Sequence, residues 1–129
     1  IMVALGSTAG TAKVAVDRLR EKGKKVGLLK IRVFRPFPTD EIVSTLAGKR
    51  AVAVMDRSDG MANTGGPVFT EIRSALYETQ NKPITLDYIY GLGGRDITVE
   101  ELIDVFNNAE TVASTGRIEK LISYIGVRE

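Results

Sequence analysis

Five side chains that could hold an anion follow the ends of four predicted strands. Ser7 and Thr8 come after the first strand, Arg35 after the second, Arg57 after the third and Arg95 after the fourth. In an open α/β sheet, ligands bind beyond the carboxyl ends of the strands. A helix N-terminus offers free N–H groups there, and arginine makes paired hydrogen bonds to phosphate or carboxylate. These five residues therefore form a candidate anion-binding site.

The same residues also have a structural explanation, which we consider the stronger one. Asp56, Asp59 and Asp96 lie beside the arginines in sequence, so ion pairs within the domain could satisfy them. A motif without its structural context is only a hypothesis. Both interpretations of the five residues stay open at the level of sequence.

Residues for catalysis or metal binding are missing from the chain. It contains no Cys and no His, so it has no thiolate ligand for a metal or cluster and lacks the commonest general base. Ser58 consequently has no His for a catalytic triad. The small-residue segment 6–10 matches neither the dinucleotide fingerprint nor the phosphate-binding P-loop. We therefore predict no catalytic residue and no metal site.

Length and composition indicate one ordinary globular domain. The chain has 129 residues, of which 43% are hydrophobic and 26% charged, and its net charge is +2. Basic residues are scattered among acidic ones, so a nucleic-acid partner is not indicated. No apolar run approaches the length needed to span a membrane, and no signal peptide is recognisable. We expect a cytoplasmic protein in which residues 1–129 form a single domain cut from a longer chain.

The hydrophobic pattern alternates strands with helices. The predicted strands are residues 1–5, 26–31, 51–55 and 84–90. The first and third are continuously apolar, as in strands buried on both faces, whereas the fourth alternates and is predicted near a sheet edge. Helices are predicted between the strands, then at 98–107 and 117–125. This order is typical of a three-layer α/β/α sandwich with a mainly parallel sheet.

Four segments, taken in series, resemble a known family. They are residues 6–12, 26–38, 56–67 and 91–96, the last reading Gly-Leu-Gly-Gly-Arg-Asp. In order and spacing they are similar to the transketolase C-terminal-like domain in the alpha chain, or fused chain, of pyruvate:ferredoxin oxidoreductase. The resemblance covers nearly the whole chain. Arg35 stands where 2-oxoglutarate enzymes usually have Trp, which favours the pyruvate branch, while the branched-chain 2-oxoacid homologue stays open.

The resemblance implies both a fold and a role. The strand order would be 2-1-3-4, with an antiparallel edge strand preceding residue 1. The family oxidatively decarboxylates pyruvate with coenzyme A, giving acetyl-CoA, CO2 and reduced ferredoxin, and uses thiamine diphosphate, Mg²⁺ and Fe–S clusters. The present chain lacks the family's diphosphate–Mg²⁺ motif and its cysteines. We therefore expect no cofactor on this domain, no activity from it alone, and a role in assembling domains or subunits.

Assembly predicts exposed apolar surface, with Phe34, Phe37 and Tyr90 as candidates, and homodimers or poor solubility when the domain is excised. Two other interpretations remain. One is a stand-alone phosphate- or nucleotide-binding module of flavodoxin-like shape, which would bind its ligand near Ser7 and Arg57. The other is the equivalent domain of a different thiamine enzyme, against which segment 91–96 argues.

Overall fold

A computed structural model describes residues 1–5, 7–31, 39–57, 66–80, 82–90, 97–118 and 121–125. Within these residues, strands and helices alternate along the chain. The elements are β1 Met2–Leu5, α1 Ser7–Glu21, β2 Leu28–Ile31, α2 Thr39–Leu46, β3 Ala51–Asp56, α3 Pro67–Leu76, β4 Ile84–Ile89, α4 Val99–Thr115 and β5 Ile122–Tyr124.

The strands form one parallel sheet in the order β2-β1-β3-β4-β5. Parallel neighbours must be joined by crossover connections, and the intervening helices supply them. From β1 the chain goes first to β2 on one side and then to β3 on the other, so the sheet has its topological switch between β1 and β3. The predicted fold class and the order 2-1-3-4 are confirmed, and β5 extends that order.

The predicted helix at 117–125 is wrong. Residues 122–124 form β5, which pairs in parallel with residues 87–89 of β4. The amide of Asp87 donates to the carbonyl of Leu121 at 2.9 Å, and the amide of Ile125 donates to the carbonyl of Ile89 at 2.8 Å. The neighbouring strand therefore satisfies this segment's backbone, overriding a weak local preference for helix. Consequently β4 is an inner strand, not the edge strand that its alternation predicted.

Helices cover both faces of the sheet, and each face has its own core. Ala51, Ala53 and Met55 of β3 pack toward α1 and α4. Val52 and Val54 of the same strand pack toward α2 and α3. Side chains alternate between the faces of a strand, so a strand in the middle of the sheet must be apolar throughout.

Helix α4 carries clear signals at both ends. The Thr98 side chain accepts a hydrogen bond from the amide of Glu101, and the Glu101 carboxylate accepts one from the amide of Thr98, forming a capping box. At the other end Gly116 has a φ of 69°, the left-handed conformation that ends helices and favours glycine. These ends hold the helix that covers β3 and β4.

Replacing Thr98 tests the capping box. We expect Thr98→Ala to lower the free energy of unfolding by about 1 kcal/mol, because the amide of Glu101 loses its acceptor. Thr98→Ser keeps the hydroxyl and should stay close to wild type. Urea denaturation of the three proteins measures the difference, and equal midpoints for all three would contradict the role given to this cap.

Candidate functional site

The described structure places three of the five predicted anion-binding residues at one corner of the sheet. Ser7 is the first residue of α1, directly after β1. Thr8, the next residue, is buried, whereas Arg57, directly after β3, is exposed. Arg35 and Arg95 lie outside the described residues. Since β1 and β3 are neighbours, Thr8 and Arg57 flank the topological switch.

Tyr90 joins these two residues, although sequence reasoning did not assign it to the site. Its hydroxyl is 2.5 Å from Thr8 Oγ1, and its ring centroid lies 5.9 Å from the guanidinium carbon of Arg57. Only 5% of Tyr90 is exposed, so the prediction that it forms exposed apolar surface is wrong. It belongs to the α1–α4 core with its hydroxyl satisfied by Thr8, as a buried tyrosine requires.

We name these residues the Thr8–Tyr90–Arg57 corner. The Thr8 hydroxyl is hydrogen-bonded to the hydroxyl of Tyr90. Among the described residues of the corner, the exposed guanidinium of Arg57 is the cationic group that could bind a ligand. Helix α1 begins at the same corner and has no acidic residue in its first turn. The α1 amides and Arg57 together could bind an anion. Of the residues that the structure describes at this corner, none is a general base or a nucleophile with an activating partner.

The N-terminus of α3 lies at the same edge of the sheet, and its amides bind carboxyl groups of the protein itself. Asp56 Oδ1 accepts from the amide of Val68 at 2.9 Å, and Asp56 Oδ2 accepts from the amide of Phe69 at 3.0 Å. Asp87 Oδ2 accepts from the amide of Gly66 at 2.7 Å. Asp56 was expected to pair with the arginines, but its two oxygens cap α3 instead. Sequence could have given one signal for this role, namely an Asp at a strand end followed by a Gly-Pro helix start.

Gly66 is required for space rather than for backbone conformation. Its φ of −75° and ψ of 168° are accessible to any residue. A Cβ atom added at Gly66 would, however, overlap the side chain of Asp56. The absent side chain lets the start of α3 approach both buried carboxyl groups.

Among the described residues, Asp87 has a carboxyl group whose pKa is shifted far from its ordinary value. Burial raises the pKa of Asp87 to about 8, and a hydrogen bond and the charge of neighbouring Asp56 act in the same direction, against the amides of Gly66 and Tyr88. Its Oδ1 atom has no hydrogen-bond donor in the described structure. These effects favour the protonated form of the Asp87 carboxyl, and its neighbour in hydrogen-bonding range is the carboxyl of Asp56.

A groove of about 600 Å³ lies between α4 and β5, on the α1–α4 face near the outer edge of the sheet. Tyr88, Val105 and Val112 contribute buried surface to it, and Arg117 lies at its rim. The amide of Asn108 donates to the hydroxyl of Tyr88, whose pKa is raised by burial. The groove has an apolar floor with polar edges, a composition typical of binding surfaces.

Three exposed apolar residues lie in and just before β5, the strand that borders the groove. Ile118, Leu121 and Tyr124 are 45%, 36% and 49% exposed, respectively, and Tyr124 itself lines the groove. We call the groove and these three residues the α4–β5 face. Of the residues predicted to form exposed apolar surface, Phe34 and Phe37 lie outside the described residues. The exposed apolar surface found here comes from the segment that sequence reasoning assigned to a helix.

Neither a metal-binding cluster of side chains nor a membrane-spanning helix occurs within the described residues. The described ranges contain no group of three or more His, Cys, Asp or Glu side chains that could hold a metal ion. No described helix is both long and apolar enough to cross a membrane.

Comparison with known proteins identifies similar sequences along the whole chain. Residues 1–102 match the model of the family described as pyruvate:ferredoxin oxidoreductase core domain II. The chain is 43% identical to the pyruvate synthase subunit PorA of Thermotoga maritima, an alignment that covers all of this chain and 32% of that relative. It is 41% identical to the ketoisovalerate oxidoreductase subunit VorA of Pyrococcus horikoshii, covering 96% of this chain and 31% of that relative. The chain thus spans about a third of the length of the curated relatives it matches.

Replacing Gly66 tests whether α3 is anchored by close approach to the buried carboxyl groups. We expect Gly66→Ala to lower the free energy of unfolding by about 1–3 kcal/mol, because the new methyl group overlaps Asp56. Gly10→Ala is the matched control. Gly10 is an exposed glycine in α1 with open space around it, so alanine should stabilise the protein by about 1 kcal/mol. If Gly66→Ala also proves neutral or stabilising in thermal or urea unfolding, the close approach does not hold in solution.

Proposed function

Because the chain belongs to the pyruvate:ferredoxin oxidoreductase core domain II family, we propose that it is a non-catalytic assembly domain of a 2-oxoacid:ferredoxin oxidoreductase. The parent enzyme would convert pyruvate and coenzyme A to acetyl-CoA and CO2 while reducing ferredoxin. Thiamine diphosphate, Mg²⁺ and the Fe–S clusters would be held by other parts of that enzyme. The lack of cysteine in this chain supports this division, since Fe–S clusters are held chiefly by cysteine thiolates.

Pyruvate is the substrate we favour for the parent, with a branched-chain 2-oxoacid as the alternative. A pyruvate synthase subunit and a ketoisovalerate oxidoreductase subunit are similar to the chain to nearly the same degree, 43% and 41%. The choice of pyruvate rests on Arg35, at a position where the resemblance separates pyruvate enzymes from 2-oxoglutarate enzymes. We place the parent enzyme in the cytoplasm.

The α4–β5 face is the observation that carries the assembly role. Contiguous exposed apolar surface with a polar rim is typical of protein–protein contacts. Here it adjoins a groove of about 600 Å³ in a chain that matches only 32% of the length of its PorA relative. We propose that another domain or subunit of the parent enzyme covers this face.

A charge placed on the α4–β5 face tests the assembly role. In the parent complex we expect Leu121→Glu to reduce co-purification of this chain with its partner domains or subunits at least about ten-fold, because association would bury a charge in an apolar contact. Val14→Glu is the matched control, since Val14 is an exposed apolar residue of α1 that lies outside the α4–β5 face. Circular dichroism verifies that both variants fold.

Equal co-purification of the two variants with the partners would refute the assignment of this face. In the same preparations, the isolated chain supplied with thiamine diphosphate and Mg²⁺ should not reduce ferredoxin when given pyruvate and coenzyme A. Reduction by the isolated chain would refute the non-catalytic role itself.

Anion binding at the Thr8–Tyr90–Arg57 corner is a second candidate function. It is supported by the exposed Arg57, whose guanidinium lies over the ring of Tyr90, the hydrogen-bond partner of Thr8 in the first turn of α1. The phosphates of coenzyme A are the ligand groups we consider for this corner. Ser7, Thr8, Arg35, Arg57 and Arg95 remain its proposed residues.

Calorimetry with coenzyme A and with inorganic pyrophosphate tests this corner. We expect binding that weakens with salt and that Arg57→Ala reduces at least about ten-fold, because one charge-assisted contact contributes about 1.5–3 kcal/mol. Arg73→Ala is the control, since Arg73 is also an exposed arginine over an aromatic ring, 5.4 Å from the Phe69 centroid. Absence of heat with both ligands, or equal loss in both variants, would leave the corner with a structural role alone.

A further inference from the structure

Asp56 and Asp87 are two acidic side chains on neighbouring inner strands that face the same side of the sheet. In the register of β3 and β4, Val54 lies opposite Asp87 and Asp56 lies opposite Ile89. The two carboxyl groups are therefore diagonal neighbours on the face covered by α2 and α3. Asp56 is 1% exposed and Asp87 is fully buried. Water cannot screen the repulsion between them.

The donors around this pair suffice for one negative charge. Three amides at the start of α3, those of Gly66, Val68 and Phe69, donate to three of the four carboxyl oxygens, and the amide of Tyr88 also favours the charged form of Asp87. The fourth oxygen, Asp87 Oδ1, has no donor in the described structure. A helix N-terminus stabilises about half a unit of negative charge. Two ionised carboxylates would leave about 1.5 units of negative charge uncompensated, and one proton held between them lowers this to about 0.5 unit.

We propose that Asp56 and Asp87 share a proton and act as a proton-dependent latch on the N-terminus of α3. With the proton in place, the Asp87 carboxyl donates through Oδ1 to Asp56 and accepts from the amide of Gly66 through Oδ2. Asp56 keeps its charge and caps Val68 and Phe69. When the proton leaves, the carboxylates repel each other and the first turn of α3 is held less tightly.

Among the charged groups near Asp87, the carboxyl of Asp56 is the one that shifts the pKa of Asp87. Within the described residues, Asp56 is the ionisable side chain that acts on Asp87, and β5 places the apolar Ile122 opposite it. The first turn of α3 carries no acidic residue, and Glu71 and Arg73 lie beyond it, with Arg73 exposed over Phe69. Arg57, next to Asp56, is exposed and directed over Tyr90.

The direction of the pH effect follows from proton linkage. The pKa of Asp87 is about 8 in the folded protein and 3.8 as its ordinary value, so the latched state holds a proton that the open state releases. The latch is complete below about pH 4, weakens as pH rises, and reaches its weakest level above about pH 8. The chain has no His, so no imidazole titrates within this window. The amine of Ile1, whose pKa is lowered by burial, can titrate here and is present in every variant.

Amide hydrogen exchange, followed by NMR at several pH values from about 6 to 9, tests the latch. We expect the protection factors of Gly66, Val68 and Phe69 to fall up to about ten-fold per pH unit as far as pH 8 and then to level off. In Asp87→Asn the protection factors should not change with pH, because the Asn amide donates permanently to Asp56. The amides of α4 serve as the internal control for global opening.

The same pH slope in Asp87→Asn, or protection that is independent of pH in the wild type, would overturn the proposal. Should Asp87→Asn fail to fold, the carboxyl carbon resonance of Asp87 in the wild type gives the answer directly. Titration near pH 8 supports the latch, and titration near pH 4 refutes it. These measurements use the chain alone, so they are independent of whether the assembly role is correct.

Discussion

The middle strand of a parallel sheet must be buried on both faces, and the rest of this domain follows from how β3 meets that constraint. All six residues of β3, from Ala51 to Asp56, are buried. Five are apolar and supply the two cores. The sixth, Asp56, is a carboxylate taken out of water at the end of the strand, where a buried charge requires hydrogen-bond donors. The start of α3 provides two of them, which fixes where that helix begins.

Because Asp56 binds the amides at the start of α3, this part of the carboxyl edge of the sheet is not available to an external anion. Helices α1, α2, α3 and α4 each follow a strand and begin at this edge. The N-terminus of α3 is occupied by Asp56 and Asp87, and that of α4 by its own capping box. Helix α2 carries Asp40 and Glu41 in its first turn, and α1 begins after β1, the neighbour of the strand that Arg57 follows. The Thr8–Tyr90 hydrogen bond ties α1 to the end of β4 across the switch between β1 and β3. Asp56, Asp87, Thr8 and Tyr90 at this edge therefore form hydrogen bonds within the domain.

The outer edge of the sheet has the opposite character. There β5 adds only three residues to the sheet, and apolar side chains around it are partly exposed. An outer edge with partly exposed apolar side chains is suited to packing against other polypeptide. Membership of a family of oxidoreductase core domains agrees with this contrast between the two edges.

Local sequence pattern was sufficient for the fold class, and the order of the first four strands came from the resemblance of four sequence segments to a known family. Continuous apolar runs such as 51–55 indicate strands buried on both faces, and Pro67 marks a helix start, because burial and proline geometry act over a few residues. Tertiary structure alone decided the rest. Residues 122–124 are a strand only because their backbone pairs with that of β4. The hydroxyl of Tyr90 can be buried because it forms a hydrogen bond with Thr8, 82 residues away in sequence. Asp56 likewise caps a helix because the sheet brings α3 against it. Contacts between distant residues depend on packing, and residue spacing along the chain does not encode them.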